Sequence, residues 1–329
     1  MLPAESHVPR DRFFWIRVVA VTVFTAVYIV RLRTSGIIVD RVSVAISVGL
    51  FLLCAFIGKP WRRWGLLAVD VLLYMCMWFA YELTHGAADH LGFPLQAVLP
   101  RDIDRVLFFG ADPVVWMQHN FFDAAHIRWY DNVASVIYFT HFVVPVVALA
   151  VVWATSRTQW IRFMKRLATV LAISCVMFVT LPTVPPWIAA DPRFGFASIP
   201  PSVTRNTWRG FVDLGFTGFV HDWHIGIDLA NPVAAMPSLH TALALFVPAF
   251  FLPMVRSRWL RALMLAFPVA MLASLVYLGE HWVIDGIVGA VVVGGTFWFW
   301  NRIERRQRQT RAARAFDALD ALTMVGDSA

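Results

Sequence analysis

"NPVAAMPSLHTALALFVPAFF", residues 231–251, puts a proline, a serine and a histidine at the mouth of an apolar run. Histidine is costly inside a bilayer, and proline breaks the interior of a helix. The apolar run itself continues to about residue 254, close to the length a transmembrane helix needs. The chain repeats this pattern. Of its 329 residues, 59% are hydrophobic and only 15% are charged, against about 25% charged in a soluble domain. Mean hydropathy is +0.65. The apolar runs are continuous rather than alternating, which predicts helices and not a β-barrel. The expected fold is therefore an all-α, polytopic transmembrane bundle.

Eight spans are predicted, near 13–30, 42–57, 64–83, 133–154, 167–182, 238–254, 260–278 and 282–300. Two long connections, 84–132 and 183–237, interrupt them. Expected domains are 1–132, three spans plus an outer amphipathic segment; 133–300, a catalytic membrane domain; and 301–329, a basic tail. The first apolar run lacks a small-residue cleavage site and reads as a retained helix. Cys54, Cys76 and Cys175 all lie in apolar runs, with no disulfide or metal spacing.

The net charge of +7 is a matter of topology rather than nucleic acid. With eight spans both termini share one side. The loops and tail of that side hold twice the cations of the other side, in much shorter loops. The positive-inside rule then places both termini in the cytoplasm and both long loops outside. The loop from Arg31 to Arg41 runs against this. The tail after Asn301 reads as a helix on anionic headgroups or as a solvated segment. The stretch 116–131 reads as an amphipathic surface helix or a cap packed on the bundle. High arginine usage and an alanine-rich tail suggest a bacterial inner membrane.

Every histidine except His7 falls in or near the outer half. Pro237 fits the first turn of a helix. The N–H groups of Ser238, Leu239 and His240 would then lack intrahelical partners and, with the helix dipole, favour an anion. Ser238 adds a hydroxyl donor, and His240 is near enough to pass a proton. In "SLVYLGEHWVIDGIVGA", 274–290, His281 and Asp285 are four apart and share a helix face. The carboxylate can take one imidazole N–H, leaving the other nitrogen as a nucleophile. Alone, this pair could equally be a histidine satisfied by a neighbouring acid. Topology returns His281 to the face that holds His240, and that coincidence favours chemistry.

These residues resemble the type 2 phosphatidic acid phosphatase superfamily. Its Pro-Ser-x-His motif matches Pro237, Ser238 and His240, and its His-x-x-x-Asp motif matches His281 and Asp285. Within it, "LPTVPPW" (181–187), "IYFTHFVVP" (137–145) and "DRVLFFGADPVVWMQ" (104–118) are similar to the inositol phosphorylceramide synthase branch. The resemblance implies a double displacement in which His281 is the nucleophile, Asp285 its partner and His240 the acid–base. It calls for no cofactor and no metal. The arginine expected six residues before His281 is replaced by Leu275, and the first phosphatase motif is not evident. Arg193 and Arg205 are the candidates to hold the phosphate in its place, with Arg128 and Arg209 next; each could instead serve headgroup contact. His141 is a substrate contact or a buried structural group.

The expected partners are a phospholipid or polyprenyl-type lipid phosphate and a lipid or polyol alcohol acceptor. Transfer to an alcohol is favoured over transfer to water by the aromatic outer loop 183–237. A transporter using Asp70 and His141 and a zinc site built from the outer histidines are the readings of other classes.

Overall fold

The computed structural model describes residues 12–35, 41–87, 91–196, 200, 202–218, 220 and 233–326. Among them every named element is a helix, with an isolated bridge between Gln96 and Thr183. In chain order the helices are α1 (Phe14–Ser35), α2 (Arg41–Phe56), α3 (Trp61–Ala87), α4 (Leu99–Leu107), α5 (Pro113–Phe121), α6 (Trp129–Thr155), α7 (Arg157–Thr180), α8 (Pro186–Ala190), α9 (Arg209–Asp213), α10 (Leu239–Phe251), α11 (Arg258–Tyr277) and α12 (Val283–Gly326). Six are long and apolar enough to cross a membrane, and Ile46–Phe56 and Leu239–Met254 are shorter apolar helices. The bundle is all-α, as expected, and its long apolar helices make the chain an integral membrane protein.

Two compact units divide the chain. One is Met1–Ala80 with Phe211–Ala230, in which α1 packs on α2. The other is Tyr81–Gly210 with Asn231–Ala329. In the second unit α10 is central, packed on α6, α11 and α12, while α12 also meets α7 and α4. A glycine permits the close approach of α12 to the start of α10: a Cβ at Gly289 would lie 2.7 Å from the Ser238 carbonyl.

Three expectations change. The span expected over 167–182 begins at Arg157, with only Ser156 separating it from α6. Ser156 ends one helix and caps the next, its hydroxyl accepting from the Gln159 N–H. The basic run therefore lies on a helix. Arg166 can be buried there because Glu304 and Asn301 of α12 accept from it at 2.9 Å each. The tail is no separate surface helix but the continuation of α12 to Gly326. Finally, 116–131 is not one helix. The Asp123 carboxylate accepts from the Ala125 and His126 N–H groups, a local turn that competes with helix. Asp131 then accepts from the Arg128 N–H at the start of α6.

Candidate active site

The site lies where α10 and α12 begin, beside α6. Ser238 caps α10, its hydroxyl accepting from the Thr241 N–H at 3.3 Å. Pro237, joined to Met236 by a cis bond, precedes this cap and so lies outside the first turn. The Ser238 N–H donates to the Asp285 carbonyl at 2.9 Å. Ser238 thus joins the two motifs by its backbone, and that N–H is not directed at an anion as the sequence suggested.

At α12 the first turn is held by two carboxylates. Asp285 Oδ2 accepts from the Trp282 N–H at 3.0 Å and lies 3.2 Å from His281 Nδ1. Asp104, from α4, accepts from the Val283 and Ile284 N–H groups at 2.8 Å each. Three successive orphan donors of one helix start are satisfied, and the anions lie at the positive end of its dipole. Burial pushes the Asp104 carboxyl up to about 7, with nearby Asp285 and Asp112 adding to the rise against the two backbone donors. The Trp282 indole donates to the Val184 carbonyl and is fully buried, tying the "LPTVPPW" loop to the same turn.

The histidines converge. His281 Nε2 is 3.3 Å from His240 Nδ1. An Asp285 carboxylate that accepts the Nδ1–H leaves the lone pair on His281 Nε2, to which the His240 Nδ1–H can donate. His240 is packed between Tyr138, stacked at 4.9 Å between ring centroids, and His141, at 4.1 Å. The Tyr-x-x-His spacing on α6 places both rings on one helix face.

The arginines separate. Arg205 joins the site: it donates to Glu280 at 2.7 and 3.3 Å, lies over the Trp187 ring at 4.9 Å and is close enough for its charge to act on the Tyr138 hydroxyl. Thr207 donates to the same Glu280 carboxylate. The loop carrying Arg205 is fastened by Gln118, which donates to the Thr204 and Tyr277 carbonyls and accepts from the Thr204 N–H. Gly279, at φ +75°, lets the chain turn between Tyr277 and His281, where a Cβ would also meet the Thr204 carbonyl at 2.8 Å. Arg193 is not brought in. Its side chain is 83% exposed and pairs with Asp191. Arg128 pairs with Asp123, and Arg209 donates to the Asp123 and His126 carbonyls.

Sequence reasoning missed Asp104, Glu280 and Gln118. Asp104 opens the quoted stretch 104–118, but nothing local ties it to residues about 180 positions on.

The sequence model of the PAP2 superfamily matches residues 102–299, more than half of the chain. The chain belongs to the PAP2 superfamily. No curated protein and no solved structure matches it. Membership brings a lipid phosphate chemistry of the phosphatase or phosphotransferase type, metal-independent as is general in the superfamily. The match takes in both histidine motifs, Asp104, His141, Arg193 and Arg205.

Proposed function

We propose that this PAP2 superfamily member is a membrane lipid phosphotransferase that moves a phospho-headgroup, of the inositol phosphate type, between lipid alcohols. The carrying observation is the ordered line Asp285, His281, His240, with contacts of 3.2 and 3.3 Å. In the first step His281 Nε2 attacks phosphorus. The N–P bond forms, the P–O bond to the lipid alcohol breaks, and the leaving oxygen takes a proton from His240, which enters the step as the imidazolium and leaves it as the neutral ring. Asp285 holds the Nδ1 proton and balances the imidazolium. In the second step the acceptor hydroxyl gives its proton to His240, its oxygen attacks phosphorus, and the P–N bond breaks. Arg205 and the Ser238 hydroxyl hold the non-bridging oxygens. His141 packs on His240 and supports its ring orientation. Arg193, held by Asp191, is left as a headgroup contact.

The inositol-type donor is supported by the elements 104–118, 137–145 and 181–187 that resemble the synthase branch. In this reading 133–300 carries the chemistry, 1–132 supplies membrane spans and an outer segment, and 301–329 is a basic cytoplasmic tail. Both termini are cytoplasmic and the site faces outward, in a bacterial inner membrane. That orientation is supported by the cation excess on the termini's side.

The test is product analysis. Purified protein in detergent is given phosphatidylinositol labelled in its phosphate, with and without an excess of ceramide or of a diacylglycerol whose acyl chains differ from the donor's. The expected product is label on the added alcohol. Label only in free inositol phosphate would make the protein a hydrolase. No turnover of this lipid, with turnover of a polyprenyl phosphate, would reject the donor.

A further inference from the structure

The superfamily resemblance calls for an arginine six residues before His281, and Leu275 stands there, fully buried. Of the arginines weighed for the phosphate, Arg205 alone reaches the Tyr138–His240 stack. It does not come as a bare cation. Glu280, next in the chain to the nucleophile and only 8% exposed, takes two bonds from the guanidinium and one from Thr207. The other arginines are committed elsewhere, to Asp191, to Asp123 and to backbone carbonyls. Asp285 adds a second carboxylate behind His281. Among the described residues, then, the phosphate subsite presents one guanidinium already matched by one carboxylate.

This balance has a consequence for the substrate. A phosphate monoester carries about two negative charges near neutral pH, since its second pKa is about 6. A phosphodiester carries one. Binding a dianion beside Arg205, Glu280 and Asp285 leaves net negative charge in a buried place, where like charges repel most strongly. Binding a monoanion does not incur this cost to the same degree.

Resting on the phosphotransferase reading above, we propose that Glu280 is a specificity-determining residue. By neutralising Arg205 beside the nucleophile it makes the site select phosphodiester lipids and reject dianionic monoesters. Glu280 makes no contact with the reacting atoms in this account. Its charge acts through Arg205.

The experiment compares phosphatidylinositol with phosphatidic acid as donors, in the wild type and in Glu280→Gln. Glutamine keeps the shape and can still accept from Arg205 and Thr207, but removes the charge. The wild type should favour the diester by at least about tenfold in kcat/KM, and E280Q should shift the ratio toward the monoester by about tenfold. A structural role alone would lower both activities and leave their ratio in place. A variant-free reading comes from two inhibitors of the wild type with the same alkyl chain. The monoanionic alkyl methylphosphonate should inhibit at a lower concentration than the dianionic alkyl phosphate. A wild type that turns over both donors but prefers the monoester, an unchanged ratio in E280Q, or equal inhibition by the two compounds overturns the proposal. A wild type with no phosphoryl transfer from either lipid, and no inhibitor binding, overturns the underlying phosphotransferase reading instead.

Discussion

The helices that carry the two histidine motifs begin in different ways. α10 is started by its own residues: Ser238 caps it and Thr241 provides the donor. α12 is started from a distance, with Asp104 of α4 holding the Val283 and Ile284 N–H groups. The first start is written within four residues. The second depends on a chain segment that both sequence motifs omit. The contrast shows why a motif match finds the reacting groups but not the frame that aims them. Asp285 orients the His281 ring from within the motif, while Asp104 holds the turn that follows it from outside.

Substitutions can break or sharpen this contrast. The largest effect is expected at the nucleophile. His281→Ala should abolish transfer while the protein remains monodisperse in detergent, as size-exclusion chromatography would show. His240→Ala should lower kcat by about 10²–10⁴, the usual range for loss of an acid–base group. An unimpaired H240A would remove α10 from the chemistry. Arg205→Ala comes next, at about 10²-fold in kcat/KM, measured on the preferred donor.

Asp104→Asn tests the distant start. It keeps one acceptor oxygen and loses the charge. Transfer should fall by about tenfold, with kcat affected more than KM because the loss is one of aim. Stability should also change with pH. The folded carboxyl is raised to about 7, against about 3.9 in an unfolded chain. The folded protein therefore binds more protons between those values. The stability Asp104 contributes is full below about pH 4 and is lost as pH rises toward about 7. D104N should flatten that part of the thermal-unfolding profile, and an identical pH slope in both proteins would contradict the assignment. The smallest effect is expected at Arg193. With its side chain exposed and paired to Asp191, Arg193→Ala should leave kcat/KM within about twofold, an exposed ion pair contributing little.

Much of the bundle was legible in the sequence because apolar length is a local property. The starts of α1, α2 and α12 lie close to the expected spans. His240, His281 and Asp285 were legible because their spacing and topology bring them to one face. The start of α7 was not, because a buried arginine looks like a loop arginine until Glu304, on another helix, is beside it. Arg193 and Arg205 read alike on one loop. Only the fold shows that Gln118 fastens the segment of the second while the first pairs locally. Glu280 was passed over as a polar neighbour of His281, and its bond to Arg205 spans 75 positions.

The central claim is that His281 carries the phosphoryl group. Brief incubation of purified protein with phosphatidylinositol labelled in its phosphate, quenched in denaturant and run on a gel, tests this most directly. The account predicts a protein-bound label, labile to acid and stable to base, that accumulates when no acceptor alcohol is present. It should be absent from H281A and should be discharged by added alcohol. A label that persists in H281A, or transfer at full rate in that variant, would contradict it.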